Sequence, residues 1–264
     1  MGKLFTIFLC FCGYHASAQM KSGTLIVMHF TQDKFILAAD SRQIPFRNGP
    51  PDDSKCKIAT IGNQLVFASS AIDTLGSDGP VPVWLNLEAA KEAVRTSKEG
   101  VDSKARLVAI ADRWSKIVTD RWRRMYTEDP KNVIAAAEHG NGLLVDGFFV
   151  TESDGEFPYT LRAVVVRNGE IVSYPGEPQC TDDYCGIGEI EIATEFTLAK
   201  TQRSKKEQSR WTADKRGEVW KTIRLVKLTE RYDKRVGGPV DAIEFDKEGI
   251  HWAARKKNCP ENQH

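Results

Sequence analysis

The chain has 264 residues, 41% of them hydrophobic, enough to bury a large core in one domain of roughly 200 to 250 residues. Its 37 Lys and Arg stand against 36 Asp and Glu, and a formal net charge of +1 gives no electrostatic reason for a polyanionic partner, so nucleic-acid binding is not expected. His29, His139 and His251 are isolated from one another, so neither a His-based triad nor a metal site is expected, and no cofactor is implied.

The first residues have the form of a targeting segment. Lys3 supplies a short positive stretch, Leu4 to Cys12 an apolar one, and Ala16-Ser17-Ala18 the small residues that a signal peptidase needs. Residues 1–18 are therefore expected to be a signal peptide and the mature chain to be exported, periplasmic or secreted. The competing reading is a buried N-terminal strand. The apolar run is too short to span a bilayer as a retained helix, and no later stretch is long enough, so no membrane contact is expected once the signal is removed. Beyond it lie Cys56, Cys180, Cys185 and Cys259, an even count that suits two disulfides in an oxidising compartment, with three connectivities open. Cys180 and Cys185 share a polar, turn-rich loop, so a local bridge there is the first expectation. Zinc is the alternative, but the spacing is not C-x-x-C and no histidine lies nearby.

From Thr24 the chain reads as strand (Thr24 to Phe30), turn (Gln32-Asp33-Lys34) and strand (Phe35 to Ala39), ending in Asp40-Ser41-Arg42. After a Pro/Gly-rich loop (Pro45 to Pro51), Lys57 to Ile61 and Gln64 to Ala68 form a second pair around Gly62-Asn63, so the opening part is expected to be a β-meander. Helices are predicted over Pro82 to Lys98 and Ser103 to Met125, the second with Leu107, Ile110, Ala111, Trp114, Ile117 and Val118 at helical spacing, followed by a long loop around Thr127 to Asn141. Strands return over Leu143 to Thr151, Thr160 to Arg167 and Glu170 to Ser173. Helical patterns run from Gly188 to Lys200 and Trp211 to Tyr232, and a hairpin over Val240 to Phe245 and Gly249 to Ala253 closes the pattern. The basic stretch Lys200, Arg203, Lys205, Lys206 lacks interleaved aromatics and reads as a solvated loop or helix end. This order suits two sheets packed face to face with helices outside.

Gly23-Thr24-Leu25-Ile26-Val27, followed by Ala38-Ala39-Asp40-Ser41-Arg42 with Asp40 sixteen residues after Thr24, resembles the start of proteasome β subunits. The likeness continues through Lys57-Ile58, Ser69-Ser70-Ala71-Ile72-Asp73, Cys185-Gly186-Ile187-Gly188, and Asp233 before Gly237-Gly238. It implies an α+β fold, a four-layer αββα sandwich of the N-terminal-nucleophile (Ntn) hydrolase type over residues 24–254. Residues 19–23 would be a propeptide and 255–264 a flexible C-terminal tail. Thr24 would be the nucleophile, Lys57 its charged neighbour, Asp40 the support of Lys57, Asp233 the group that orients the threonine, and the Ser69 N–H the oxyanion donor. Ile187 and Val236 depart from the pattern, standing where the family carries serines, and Ser69 stands for a glycine.

The chemistry is self-consistent. A threonine hydroxyl must lose its proton as it attacks, and the α-amine of an N-terminal Thr24, with a pKa of about 8, can take it. Lys57 would lower that amine's pKa and stabilise charge on the oxygen, and Asp40 would balance Lys57. Each residue also has a plain reading: Thr24 as a strand residue, Asp40 paired with Arg42, Lys57 on the surface, Asp233 paired with Arg231 or Lys234 or ending its helix before Gly237. The expected activity is thus a threonine hydrolase of peptide or small amide bonds, activated by self-cleavage at Gly23-Thr24, as a monomer or homo-oligomer. The alternatives are a non-catalytic binding or assembly module with the same fold, and a small-molecule acylase.

Overall fold

Apolar runs broken by turn residues give two opening hairpins, and the two end in different sheets. The computed structural model describes residues 24–44, 50–71, 85–97, 102–181, 183–257 and 259. The signal and propeptide assignments, Gly23, Ile72-Asp73, most of the Pro45 to Pro51 loop, the first turn of the Pro82 helix, Lys98 and residues 260–264 lie outside them. The first hairpin is β1 (Leu25–Phe30) and β2 (Lys34–Ala39), the second β3 (Ile58–Ile61) and β4 (Leu65–Ala71).

One sheet has six strands in the order β11-β10-β2-β1-β9-β8, using β8 (Gln179–Thr181), β9 (Tyr184–Gly188), β10 (Asp241–Asp246) and β11 (Gly249–Ala254). The other has five in the order β3-β4-β5-β6-β7, with β5 (Leu143–Thr151), β6 (Tyr159–Arg167) and β7 (Glu170–Gly176). Because β1–β2 and β3–β4 belong to separate sheets, the opening segment is not the expected meander. Side-chain alternation sends Ile26, Met28, Leu37, Val66, Phe148 and Ile243 into the core between the sheets.

Helices cover both outer faces. On the five-stranded sheet lie α1 (Leu85–Thr96), α2 (Ser103–Glu128) and α3 (Pro130–His139), with Trp114 fully buried against Phe67 and Phe149. On the six-stranded sheet lie α4 (Glu191–Thr197), α5 (Gln202–Thr212) and α6 (Glu218–Tyr232), whose Phe196, Trp211, Leu225 and Leu228 pack against Leu25, Val27 and Ala38. The expected four-layer αββα sandwich is the architecture the chain adopts.

Three local expectations change. The stretch predicted as a loop from Thr127 to Asn141 contains α3, started by the Asp129 carboxylate accepting Asn132 N–H with Pro130 in the first turn. The Trp211 to Tyr232 helix is two helices, separated at Gly217, whose φ of 95° no continuing helix allows. The loop holding Cys180 and Cys185 is a short hairpin, β8–β9, in which the two are directly paired and form the expected disulfide. The second disulfide joins Cys56 to Cys259. Lys256, near the start of the stretch expected as a tail, bonds Asp241 through its backbone N–H and its ammonium.

Candidate functional site

The site is built at the open end of the β1–β2 hairpin. The register pairs Ile26 with Ala39, and one step further the Asp40 side chain takes over the ladder: Leu25 N–H donates to Asp40 Oδ1 at 2.9 Å, while Asp40 N–H donates to the Leu25 carbonyl at 3.2 Å. Thr24 precedes this pair and continues the parity of Ile26 and Met28, the residues facing the core between the sheets. It is 1% exposed. Its carbonyl accepts the Glu189 N–H at 2.8 Å, and a Cβ on Gly188 would lie 1.9 Å from that oxygen. Only glycine, here at φ 88°, lets β9 approach Thr24 so closely.

Asp40 is fully buried and accepts four donors. Besides Leu25 N–H, these are the Lys57 ammonium at 2.7 Å, Arg42 N–H at 3.1 Å and Gly237 N–H at 3.0 Å. Lys57, 4% exposed, enters from the start of β3 and also donates to the Arg42 carbonyl at 2.6 Å. The plain reading of Lys57 as a surface lysine therefore fails, and the plain partner of Asp40 fails in its detail. Arg42 offers Asp40 only its backbone, while its guanidinium forks onto Asp53 with two 2.7 Å bonds and reaches the Lys234 carbonyl at 2.9 Å. The double glycine has a steric cause: a Cβ on Gly237 would sit 2.5 Å from Arg42 Cζ.

The structure thus gathers Thr24, Asp40 and Lys57, with one carboxylate oxygen serving both the lysine and the residue after the threonine. Ser69 is next to them, but its N–H donates to the Lys57 carbonyl at 3.1 Å, extending the β3–β4 ladder by one step. Asp233 is held elsewhere. It ends α6, and its carboxylate takes Arg235 N–H, Nε and guanidinium at 2.9, 3.0 and 2.7 Å. Burial pulls its pKa up, but the bonds from Arg235 outweigh burial and hold the carboxyl below its ordinary range. Arg235 also pairs with Glu189 at 2.8 Å, so a chain of contacts through Arg235, Glu189 and the Thr24 carbonyl links Asp233 to Thr24. Sequence reasoning missed Glu189, the Arg42 carbonyl and half-buried Lys256; Glu189 directly follows the string Cys185 to Gly188 and Arg42 closes the string Ala38 to Arg42, so of these only Lys256 lay apart from a recognised string.

No protein-family model matches the chain, and no curated protein matches it. Among solved structures, it is similar to Anbu from Hyphomicrobium sp. strain MC1 at 15% identity, over 88% of this chain and 86% of that one, with a TM-score of 0.41. A Gly-1 mutant of the same protein gives 16% identity over 88% and 86%, with a TM-score of 0.42. The Anbu complex of Pseudomonas aeruginosa, solved as a helical assembly, gives 14% identity over 89% and 88%, with a TM-score of 0.45. The assignment to the proteasome β-subunit family is corrected accordingly: no family model supports it, and the likenesses to solved structures are too low in identity and overlap to carry it.

Proposed function

We propose that the chain works by threonine-type N-terminal nucleophile chemistry, hydrolysing amide bonds in peptides or small amides after its own scission at Gly23-Thr24. One observation carries this reading: a buried Lys57 ammonium shares Asp40 Oδ1 with the backbone N–H of the residue that follows Thr24. In activation the Thr24 hydroxyl attacks the Gly23 carbonyl, the C–N bond breaks as the nitrogen takes a proton, and water hydrolyses the resulting ester, leaving a free amine on Thr24. In turnover that amine takes the hydroxyl proton, an acyl ester forms on Thr24 as the substrate's amine departs protonated, and water releases the acid.

Lys57 stabilises the developing charge and Asp40 fixes Lys57. Ser69 would serve the oxyanion by exchanging its Lys57 carbonyl partner for it, and Asp233 would act on Thr24 at a distance, by fixing Arg235 against Glu189. The engaged Ser69 N–H and the occupied Asp233 favour the second reading, a non-catalytic module. Export after removal of residues 1–18 fits two disulfides, which persist in oxidising compartments.

Intact mass and N-terminal sequencing of the mature chain separate the two readings. The native chain should begin at Thr24, and Thr24→Ala should keep the residues upstream. If both begin at Gln19, the catalytic reading falls and the module stands.

A further inference from the structure

A cavity of about 330 Å³, within the range of small-ligand pockets, opens between the sheets; Thr24 does not line it, but Gly188 and Glu189, which do, lie against the Thr24 carbonyl. Its floor is the inner face of β5, β6 and β7, and its roof is the turn from Gly186 to Glu191, which includes the Glu189 that holds the Thr24 carbonyl. Among the described residues four carboxylates line it, Asp146, Glu177, Glu189 and Glu191, and no lysine or arginine does. Glu189 is satisfied by Arg235, and Glu177 and Glu191 lie exposed at the rim. Asp146 is different. It is 3% exposed, alternates with Phe148 and Val150 of the inter-sheet core, and its carboxylate receives one hydrogen bond among the described residues, from Ser70 Oγ at 3.1 Å to Oδ2. A buried acid with an unused oxygen facing a cavity is expensive to keep unless something meets it.

We propose that this cavity is a cation-binding subsite, with Asp146 as its specificity-determining residue, and that it takes the ammonium or guanidinium of a basic side chain on the amide substrate. This rests on the proposed hydrolase reading for the word substrate, but the binding itself does not. Leu143, Leu161, Ala163 and Ile187 would cover the methylene stem, and the Asp146 carboxylate and the acidic rim would meet its charged end. Burial, opposed by the Ser70 bond, pushes the Asp146 carboxyl up to about 7. Binding is then an exchange: the ammonium enters, Asp146 loses its proton to solvent, and an ion pair replaces a neutral acid.

The test uses the Thr24→Ala chain, which cannot turn substrate over, with Nα-acetyl-lysine amide, Nα-acetyl-arginine amide and the uncharged Nα-acetyl-norleucine amide as probes in calorimetry. The two basic amides should bind at least tenfold tighter than norleucine amide. They should release up to one proton below pH 7, seen as a dependence of heat on buffer ionisation, and both properties should be lost in Asp146→Asn. Equal affinity for the three probes, or preference unchanged in Asp146→Asn, overturns the subsite. Failure of the native chain to self-cleave overturns the hydrolase reading instead and leaves these binding results standing.

Discussion

Asp40 holds four donors with two oxygens, so its removal takes the counter-charge from a buried ammonium and the acceptor from three backbone N–H groups at once. Asp40→Ala is expected to lower unfolding free energy by about 3–5 kcal/mol, and adding Lys57→Met to recover part of it, since a buried charge without its partner is worse than none. Urea midpoints of the two variants check this; equal losses would mean that the pair is not what holds the strand ends. Asp146 makes a pH prediction. Its folded pKa is raised by desolvation, against Ser70, to about 7 from 3.8, so the folded state binds the extra proton between these values and stability falls as pH rises from about 4 to about 7. Among the described residues, the groups around it are Ser70 on β4, Tyr174 on β7, buried Glu189 in the roof paired with Arg235, and Glu177 and Glu191 at the rim. Asp146→Asn should abolish that slope in denaturant melts run across this range. Thr24, Asp40 and Lys57 were legible through the resemblance of their strings to proteasome β subunits; hairpin spacing by itself brings only Thr24 and Asp40 to one end of paired strands, and Lys57 arrives from the other sheet. Asp146 was not: a single carboxylate in an apolar strand looks the same whether it faces water or a cavity. The partner of Asp233 was overlooked because a bond to Arg235, two residues on, depends on how the chain leaves α6.

At the scale of elements, Trp114 on α2 stands directly over Gly147 on β5, and a Cβ there would lie 2.5 Å from the indole ring. The indole is fully buried, and its N–H donates to the Asn86 carbonyl at 3.0 Å, so it cannot step aside. Gly147→Ala is expected to destabilise by about 1–3 kcal/mol, and Trp114→Ala by about 3–5 kcal/mol through the cavity left behind, both read from thermal or urea unfolding. The α2 pattern was plain because 26 residues allow many apolar repeats at helical spacing. Shorter elements gave weaker signals. The Asp129-Pro130 start of α3 reads equally as a turn, and β9 hides in a glycine-rich string that stays extended only because β1 and β8 flank it.

For the whole molecule, the order of strand and helix patterns implied two covered sheets, but not which hairpin joins which sheet. That depends on side chains packing across the core, where Phe35 of one sheet meets Phe148 of the other with ring centroids 6.0 Å apart. The two disulfides should differ in weight. Cys56–Cys259 closes 203 residues and Cys180–Cys185 only 5, so chain entropy assigns them about 5 and about 2 kcal/mol. Paired serine substitutions at each bridge, compared by unfolding, should keep that order; the reverse order would show that the short hairpin bridge, not the long clasp, is the main restraint. Cys56 adjoins Lys57, so the clasp that closes the fold also fastens the strand that delivers the lysine. Reducing that one bridge would therefore loosen the C-terminal end of the described chain and the seat of a buried ammonium together, so the covalent state of two cysteines and the placement of one charge are a single mechanical unit.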